Sequence, residues 1–370
     1  NPLTRPTCPP GNKPPLRSPE PDLTKCRTIR VPSKASLQCA PPPKIPRIKD
    51  PNEKLGASGF GPQGYILADT LIPYRINFEN LGPGSVPTPA QPATAPAQRV
   101  VVTDQLSAHL DWNTLQFTEF GFGDTLVTVP GGRANHFDTV PLTYNNKTFD
   151  VQVELTFDSA TGQISAVYQT LDPGTALPPD VLTGFLPPED GTGIGQAHFS
   201  YTIQTRAGLA TGTALRNIAL IRFDDQLSIA TNQVDPQNPA AGTSPDKEAL
   251  NTIDAAGPTS SVTSLPAMTN SANFTVNWTG SDDAGGSGIA IYDVFVSDDN
   301  GPFTPFVTGS AATSATFTGT NGHTYGFFSV ATDNVGHREA TPTAGQALTL
   351  VGTGAVQAPD LQIRNGDEVT

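Results

Sequence analysis

T-F-D-V-Q-V-E-L-T-F, residues Thr148–Phe157, alternates without a break. Phe149, Val151, Val153, Leu155 and Phe157 share one side of an extended chain; Asp150, Gln152 and Glu154 share the other. Successive side chains of a strand point to opposite faces, so this period of two reads as a half-buried β-strand. Asp158-Ser-Ala-Thr-Gly162 supplies the turn, and Gln163–Thr170 returns as the hairpin partner. Leu71–Phe78, Arg99–Thr103, Ala197–Ile203 and Ala214–Phe223 read as further strands. Nothing between residues 50 and 254 offers a helix of several turns with an apolar stripe, so this segment is expected to be one all-β domain.

Composition points the same way. The 35 glycines and 37 prolines are about a fifth of the 370 residues, which favours short strands joined by turns over long helices. No apolar run is long enough to cross a bilayer as a helix. A chain that opens on Asn1 reads as a processed or trimmed form.

Residues 235–257 are rich in Pro, Asn, Gly, Ala and Asp and read as a linker or exposed connection. Beyond it, residues 255–352 have the length of a single sandwich. Asn273–Trp278 alternates strictly, with Phe274, Val276 and Trp278 inward. Ile289–Val296 and Phe303–Val307 flank a turn at Asp299-Asn300-Gly301, where Asn-Gly is the hairpin signal. Thr313–Thr318 and Thr324–Ala331 follow, and residues 353–370 form a C-terminal tail.

Residues 1–49 differ in kind. They hold 13 prolines, ten Lys or Arg and two acidic residues, a charge of +8 against −21 for the remainder. Proline fixes φ and removes a donor, so the segment is expected to be an extended arm with few internal hydrogen bonds. A basic arm on an acidic body suggests charge complementarity between copies. Nucleic acid is disfavoured as its partner, because the arm has no aromatic residue to stack on bases and the body repels phosphate. Cys8, Cys26 and Cys39 all lie in the arm, without zinc-ligand spacing and with no histidine near them. They are disulfide candidates, and the alternative of three free thiols stays open.

Two resemblances follow from particular residues. Trp278 and Tyr325-Gly-Phe-Phe-Ser-Val-Ala-Thr-Asp-Asn-Val-Gly336 make the second unit similar to a fibronectin type III domain. That family places a buried Trp on its second strand and a Tyr near the start of its sixth. The chain departs from the pattern at Ser329, where an inward apolar residue is expected, which turns Phe328 and Val330 outward. The first unit resembles the "conserved repeat domain" of very large bacterial secreted and surface proteins. The residues that carry this are Asp50–Gly61, Pro73–Asn80, Val100–Leu106 and Arg216–Asp224, with Leu250–Pro258 leading into the next unit. The resemblance implies an extracellular β-sandwich and no active site.

Chemical motifs are sparse. Gly59, Gly61 and Gly64 spell the dinucleotide fingerprint G-x-G-x-x-G, yet no apolar strand precedes them, Pro62 sits inside, and no helix fits before Pro73. With Gly56 they are expected instead to form a loop that turns with φ > 0 and serves as the hinge of the arm. His109, His136, His198, His323 and His337 lie in no ligand spacing, and no G-x-S-x-G elbow exists. Acidic loops at Asp282-Asp283, Asp298-Asp299-Asn300, Asp333-Asn334 and Glu189-Asp190 offer hard oxygen ligands, so Asp282, Asp283, Asp298, Asp299 and Asp333 are calcium candidates. Asp and Asn are equally ordinary turn formers. Asn146, Asn273 and Asn277 begin N-x-T sequons.

The expected protein is therefore an all-β, extracellular or cell-surface, non-catalytic chain of two β-sandwich domains, residues 50–254 and 255–352, behind an extended arm. Its expected function is that of a structural or adhesive subunit of a surface fibre or layer, a homo-oligomer or polymer formed as the arm docks on a neighbouring copy, with no cofactor beyond the calcium candidates. The alternative is an accessory module binding glycan or protein in a larger secreted enzyme or adhesin, for which an exposed aromatic row would be the sign. A secreted hydrolase would need a pocket of convergent His, Asp or Glu.

Overall fold

The computed structural model describes residues 51–352, together with the backbone of two strands in the arm, Arg27–Val31 and Lys34–Gln38. Those two pair antiparallel from Arg27↔Gln38 to Val31↔Lys34. This is one short pairing in an arm expected to have few internal hydrogen bonds. Both segments are free of proline, and Thr28, Ile29 and Val31 are β-branched, so the backbone donors that proline removes elsewhere are present here. Cys8, Cys26 and Cys39 lie outside the described residues.

The protein is all-β: the described residues contain no α-helix, only 3-10 turns at Pro239–Ala241 and Pro245–Lys247. Two sheets face each other in the first unit. One has six strands in the order Ile229–Ala230, Ala219–Phe223, Arg99–Gln105, Gln163–Leu171, Lys147–Asp158, His136–Tyr144. The other has five, in the order Glu53–Leu55, Leu71–Glu79, Gln196–Thr205, Leu110–Phe122, Thr125–Thr128. The alternation in Phe149–Phe157 becomes burial: all five apolar side chains join one core with Ile72, Ile76, Phe78, Phe199 and Tyr201 of the facing sheet. Tyr168 stacks on Phe185 at 5.6 Å and meets Phe78 edge-on at 5.3 Å. Each such ring contributes about 1.5–3 kcal/mol by burial alone.

Leu110–Phe122 and His136–Tyr144 are strands beyond those expected. The first has two register shifts against Gln196–Thr205, which break a simple period of two. The second contains Pro141 and lies at the edge of its sheet, where a missing N–H is tolerated. Ala214–Phe223 divides at Ile218: Ala214–Asn217 pairs with Ala249–Asp254, while Ala219–Phe223 pairs with Arg99–Gln105.

The reading of residues 235–257 as a linker is corrected in part. Ala249–Asp254 is a buried strand between Ala214–Asn217 and the parallel Tyr65–Leu67. Its buried polar residues Asn251, Thr252 and Asp254 gave it the composition of a loop.

The second unit sets Thr259–Val262, Asn273–Ser281 and Ser314–Thr318 against a sheet ordered Met268–Thr269, Ala347–Val351, Thr324–Asp333, Ile289–Asp298, Thr304–Ser310. Trp278 is buried on the second long strand and donates to the Ala312 carbonyl at 2.9 Å. Tyr325, near the start of the sixth, accepts from the Thr320 N–H at 3.0 Å. Ser329 does face inward, where its hydroxyl meets Ser260 Oγ at 2.9 Å. Phe328 points outward as expected, but is sandwiched by Phe295 and Phe303 at 4.9 and 4.5 Å, leaving it 3% exposed. The hairpin turn falls one residue earlier than the Asn-Gly signal: Asp299 and Asn300 take positive φ, and Gly301 N–H closes on Asp298 O at 2.8 Å.

Candidate functional site

Three of the expected acidic residues converge where the two units meet, around a fourth that the sequence analysis missed. Asp254 ends the buried strand Ala249–Asp254 and is wholly inaccessible. Its Oδ2 accepts from Ser287 N–H at 2.8 Å, across the junction. Ser287 lies on the loop that leaves Asn273–Ser281 through Asp282 and Asp283. Gly285 and Gly288 take φ of +85° and +83° to close this loop. A Cβ at Gly286 would lie 2.5 Å from Asp283 Oδ1 and 2.6 Å from Asp282 Oδ2, so a side chain there would displace these carboxylates.

One carboxylate oxygen from each of Asp254, Asp282 and Asp283 lies within 4.8 Å of the others. The Oδ1 atoms of all three are buried without a hydrogen-bond partner. A buried, unpartnered carboxylate oxygen is costly, and three together add mutual repulsion. Burial pushes the Asp282 carboxyl above its ordinary value, and the charges of Asp254 and Asp333 push it the same way. A hard divalent cation would relieve all of these terms, because calcium takes six to eight oxygens from carboxylates, carbonyls and water.

Asp333 serves the same junction differently. Its Oδ1 accepts from the N–H groups of Val335, Gly336 and His337 at 3.0, 2.6 and 2.8 Å, and Oδ2 meets His337 Nδ1 at 2.9 Å. His337 Nδ1 stands 3.9 Å from Asp254 Oδ1. Asp333 is thus a loop clasp beside the three carboxylates. Asp298 and Asp299 are elsewhere, in an exposed group with His323 at 2.8 and 3.1 Å. Hydrogen bonding to Asp298, then the charges of both aspartates, raise the His323 pKa. Glu189 is a clasp too, accepting from Gly191, Gly193 and Gly195 N–H groups at 2.7–2.9 Å.

The glycine loop is pinned to the body. Phe60 and Tyr65 exchange two 2.9 Å hydrogen bonds, with Gly61 and Gly64 at φ +64° and +59°. Asn251 Nδ2 donates to the carbonyls of Ala57 and Gly64, both at 3.0 Å, and Thr252 Oγ1 donates to Gln63 O at 2.9 Å. Gly56 packs against Asn251 and Tyr74.

An open groove of about 1280 Å³ begins at Pro51. Glu53, Asp235, Asp246 and Glu248 line it. Of its two lysines, Lys54 contacts Asp104, and Lys247 donates to the carbonyls of Gln233 and Val234.

Other expectations find their places. His198 is 3.5 Å from Glu119, but Ser200 donates to Glu119 and not to the imidazole, so no nucleophile–base pair forms there. Burial lowers the His198 pKa. Among the described residues the exposed large aromatics are Phe60 and Phe137, which sit on separate elements and make no row. Asn146 occupies a hairpin tip at φ +60°, and Asn273 and Asn277 share an exposed strand face.

No protein-family model and no curated protein matches the chain. Solved structures similar to it are β-sandwich modules of bacterial proteins. The fibronectin(III)-like modules of Clostridium thermocellum CbhA are 11% identical, with a TM-score of 0.22 over 83% of this chain and 94% of that one. The C-terminal domain of the Streptococcus agalactiae antigen I/II polypeptide BspA is 12% identical, with a TM-score of 0.33 over 81% of this chain and 100% of that one. The Bacillus cereus major pilin subunit BcpA is 12% identical, with a TM-score of 0.23 over 81% of this chain and 68% of that one. Likenesses at this level carry nothing about function.

Proposed function

We propose that this chain is a non-catalytic extracellular structural or adhesive protein, and that it assembles into a surface fibre or layer as the arm of one copy docks on the body of the next. The observation that carries this reading is a groove lined by Glu53, Asp235, Asp246 and Glu248, beginning at Pro51, in a chain whose residues 1–49 carry a charge of +8. Complementary fields steer docking and hold its register. The test compares the full chain with residues 50–370 by light scattering and electron microscopy. The full chain is expected to form polymers that dissolve in high salt, and the truncated chain to stay monomeric. Monomers in both overturn assembly; polymers in both overturn the role of the arm.

The second element of the proposal is a calcium ion held by Asp254, Asp282 and Asp283, which would fix one sandwich against the other. Asp254 comes from the first unit and the other two from the second, so the ion ties the units together.

A further inference from the structure

Among the described residues Lys54 is the one buried lysine or arginine, and none of the preceding roles uses it. It lies on Glu53–Leu55, its side chain is wholly inaccessible, and its ammonium contacts the equally inaccessible carboxylate of Asp104 on Arg99–Gln105. The contact joins the two facing sheets. Tyr201 OH donates to Asp104 Oδ2 at 2.7 Å and accepts from Lys54 Nζ at 3.0 Å. Nζ sits 4.6 Å above the Tyr74 ring. Asp104 Oδ1 has no partner. An ion pair so placed loses its hydration, and moving the proton from the amine to the carboxylate gives a neutral pair that avoids that cost. Burial lowers the Lys54 pKa to about 8 against the opposing pull of Asp104, so the neutral amine is accessible.

A neutral amine shielded from water is a nucleophile, and strand register places the side-chain amide of Asn217 in the same region. Two registers lead from this centre to Asn217. Asp104 is opposite Ala219, and Asn217 stands two residues before Ala219, where the chain passes from one sheet to the other. Asn217 is also opposite Ala249, whose Cβ lies 3.7 Å from the Cβ position of Gly56, two residues from Lys54. That same Gly56 position is 3.3 Å from the Tyr74 ring beneath Nζ. Asn217 is 5% exposed, and its Nδ2 makes no hydrogen bond.

We propose that the protein joins Lys54 to Asn217 by an intramolecular amide bond, with Asp104 carrying the proton. Neutral Nζ attacks Asn217 Cγ. Asp104, holding the proton it received from the amine, gives it to Nδ2 and then takes the proton that Nζ loses. The Nζ–Cγ bond forms, the Cγ–Nδ2 bond breaks, ammonia leaves, and Asp104 returns to its starting state. Nothing is oxidised or reduced, and no co-reactant is needed. The bond would staple the entry strand of the first unit to the strand where Ala214–Phe223 changes sheets.

Intact mass of the full chain, reduced to open any disulfide, tests this. The expected mass is about 17 Da below that of the sequence, the loss of one ammonia, with a branched Lys54–Asn217 peptide after proteolysis. A mass equal to that of the sequence overturns the proposal. So does a loss of about 18 Da with a Lys54–Asp104 peptide, which would be condensation on the carboxylate itself. Asp104→Ala, with folding checked by circular dichroism, is expected to keep both reactants and lose the bond; a crosslink that persists there removes Asp104 as proton carrier. The wild-type mass decides the bond even where that variant fails to fold.

Discussion

At the scale of residues, the junction turns on Asp254. It is the one of the three converging carboxylates that comes from the first unit, and its Oδ1 is buried without a partner. Asp254→Asn removes the charge and keeps the shape and the acceptor for Ser287. The expected outcome is a loss of calcium affinity of at least about tenfold, roughly 1.4 kcal/mol, read by isothermal titration. Asp298→Asn, in the exposed His323 group, is expected to leave that affinity unchanged. The pH dependence follows from Asp282. Its carboxyl titrates above the ordinary value, so it binds a proton more tightly in the folded chain than in the unfolded one. Without calcium, its contribution favours folding below the ordinary carboxyl pKa and is lost as pH rises through the raised one. Calcium needs the ionised form. The rise in Tm on adding calcium is therefore expected to be largest at neutral pH and to shrink toward about pH 5. A calcium shift that grows on acidification would contradict this assignment.

At the scale of elements, the glycine loop shows how much of the molecule was legible. Positive φ was readable at Gly61 and Gly64 because glycine tolerates it without cost, whereas Gly56 and Gly59 do not adopt it and are instead closely packed. What the loop packs on was not readable, because Asn251 and Thr252 are nearly two hundred residues away in the chain. The positions are not equivalent. Gly64 has positive φ and a Cβ there would sit 2.6 Å from Leu250 O; Gly61 has positive φ and open space. Gly64→Ala is expected to cost about 2–3 kcal/mol and Gly61→Ala about 1 kcal/mol, measured by urea unfolding. Equal costs would mean that conformation alone, and not the contact with the strand Ala249–Asp254, decides these sites. The same limit explains that strand. Alternation is readable only when one face is apolar, and here the buried face includes Asn251 and hydrogen-bonds the loop. Tyr325 was legible from its place in Y-G-F-F-S-V-A. Its bond to Thr320 is worth about 1 kcal/mol, so Tyr325→Phe is expected to lower stability by that amount.

At the scale of the whole molecule, the charge split and the junction make separate predictions. Removing calcium with a chelator is expected to loosen the joint between the units and raise the radius of gyration of residues 50–370 in small-angle scattering, with no loss of strand content by circular dichroism. The units keep separate cores, one from Ile66 to Ile253 and one from Val262 to Val351, so each has its own apolar burial to hold it without the ion. The sequence by itself determined the all-β class, most strands of both sandwiches, the basic arm and the acidic body. These depend on period, turn chemistry and composition, all of which are local. Only the tertiary structure decided that Asp254 belongs with Asp282 and Asp283, that Asp298 and Asp299 do not, and that Lys54, Asp104 and Tyr201 share one buried centre. Those groupings join residues far apart in the chain, and strand register and sheet order, which no local pattern encodes, bring them together.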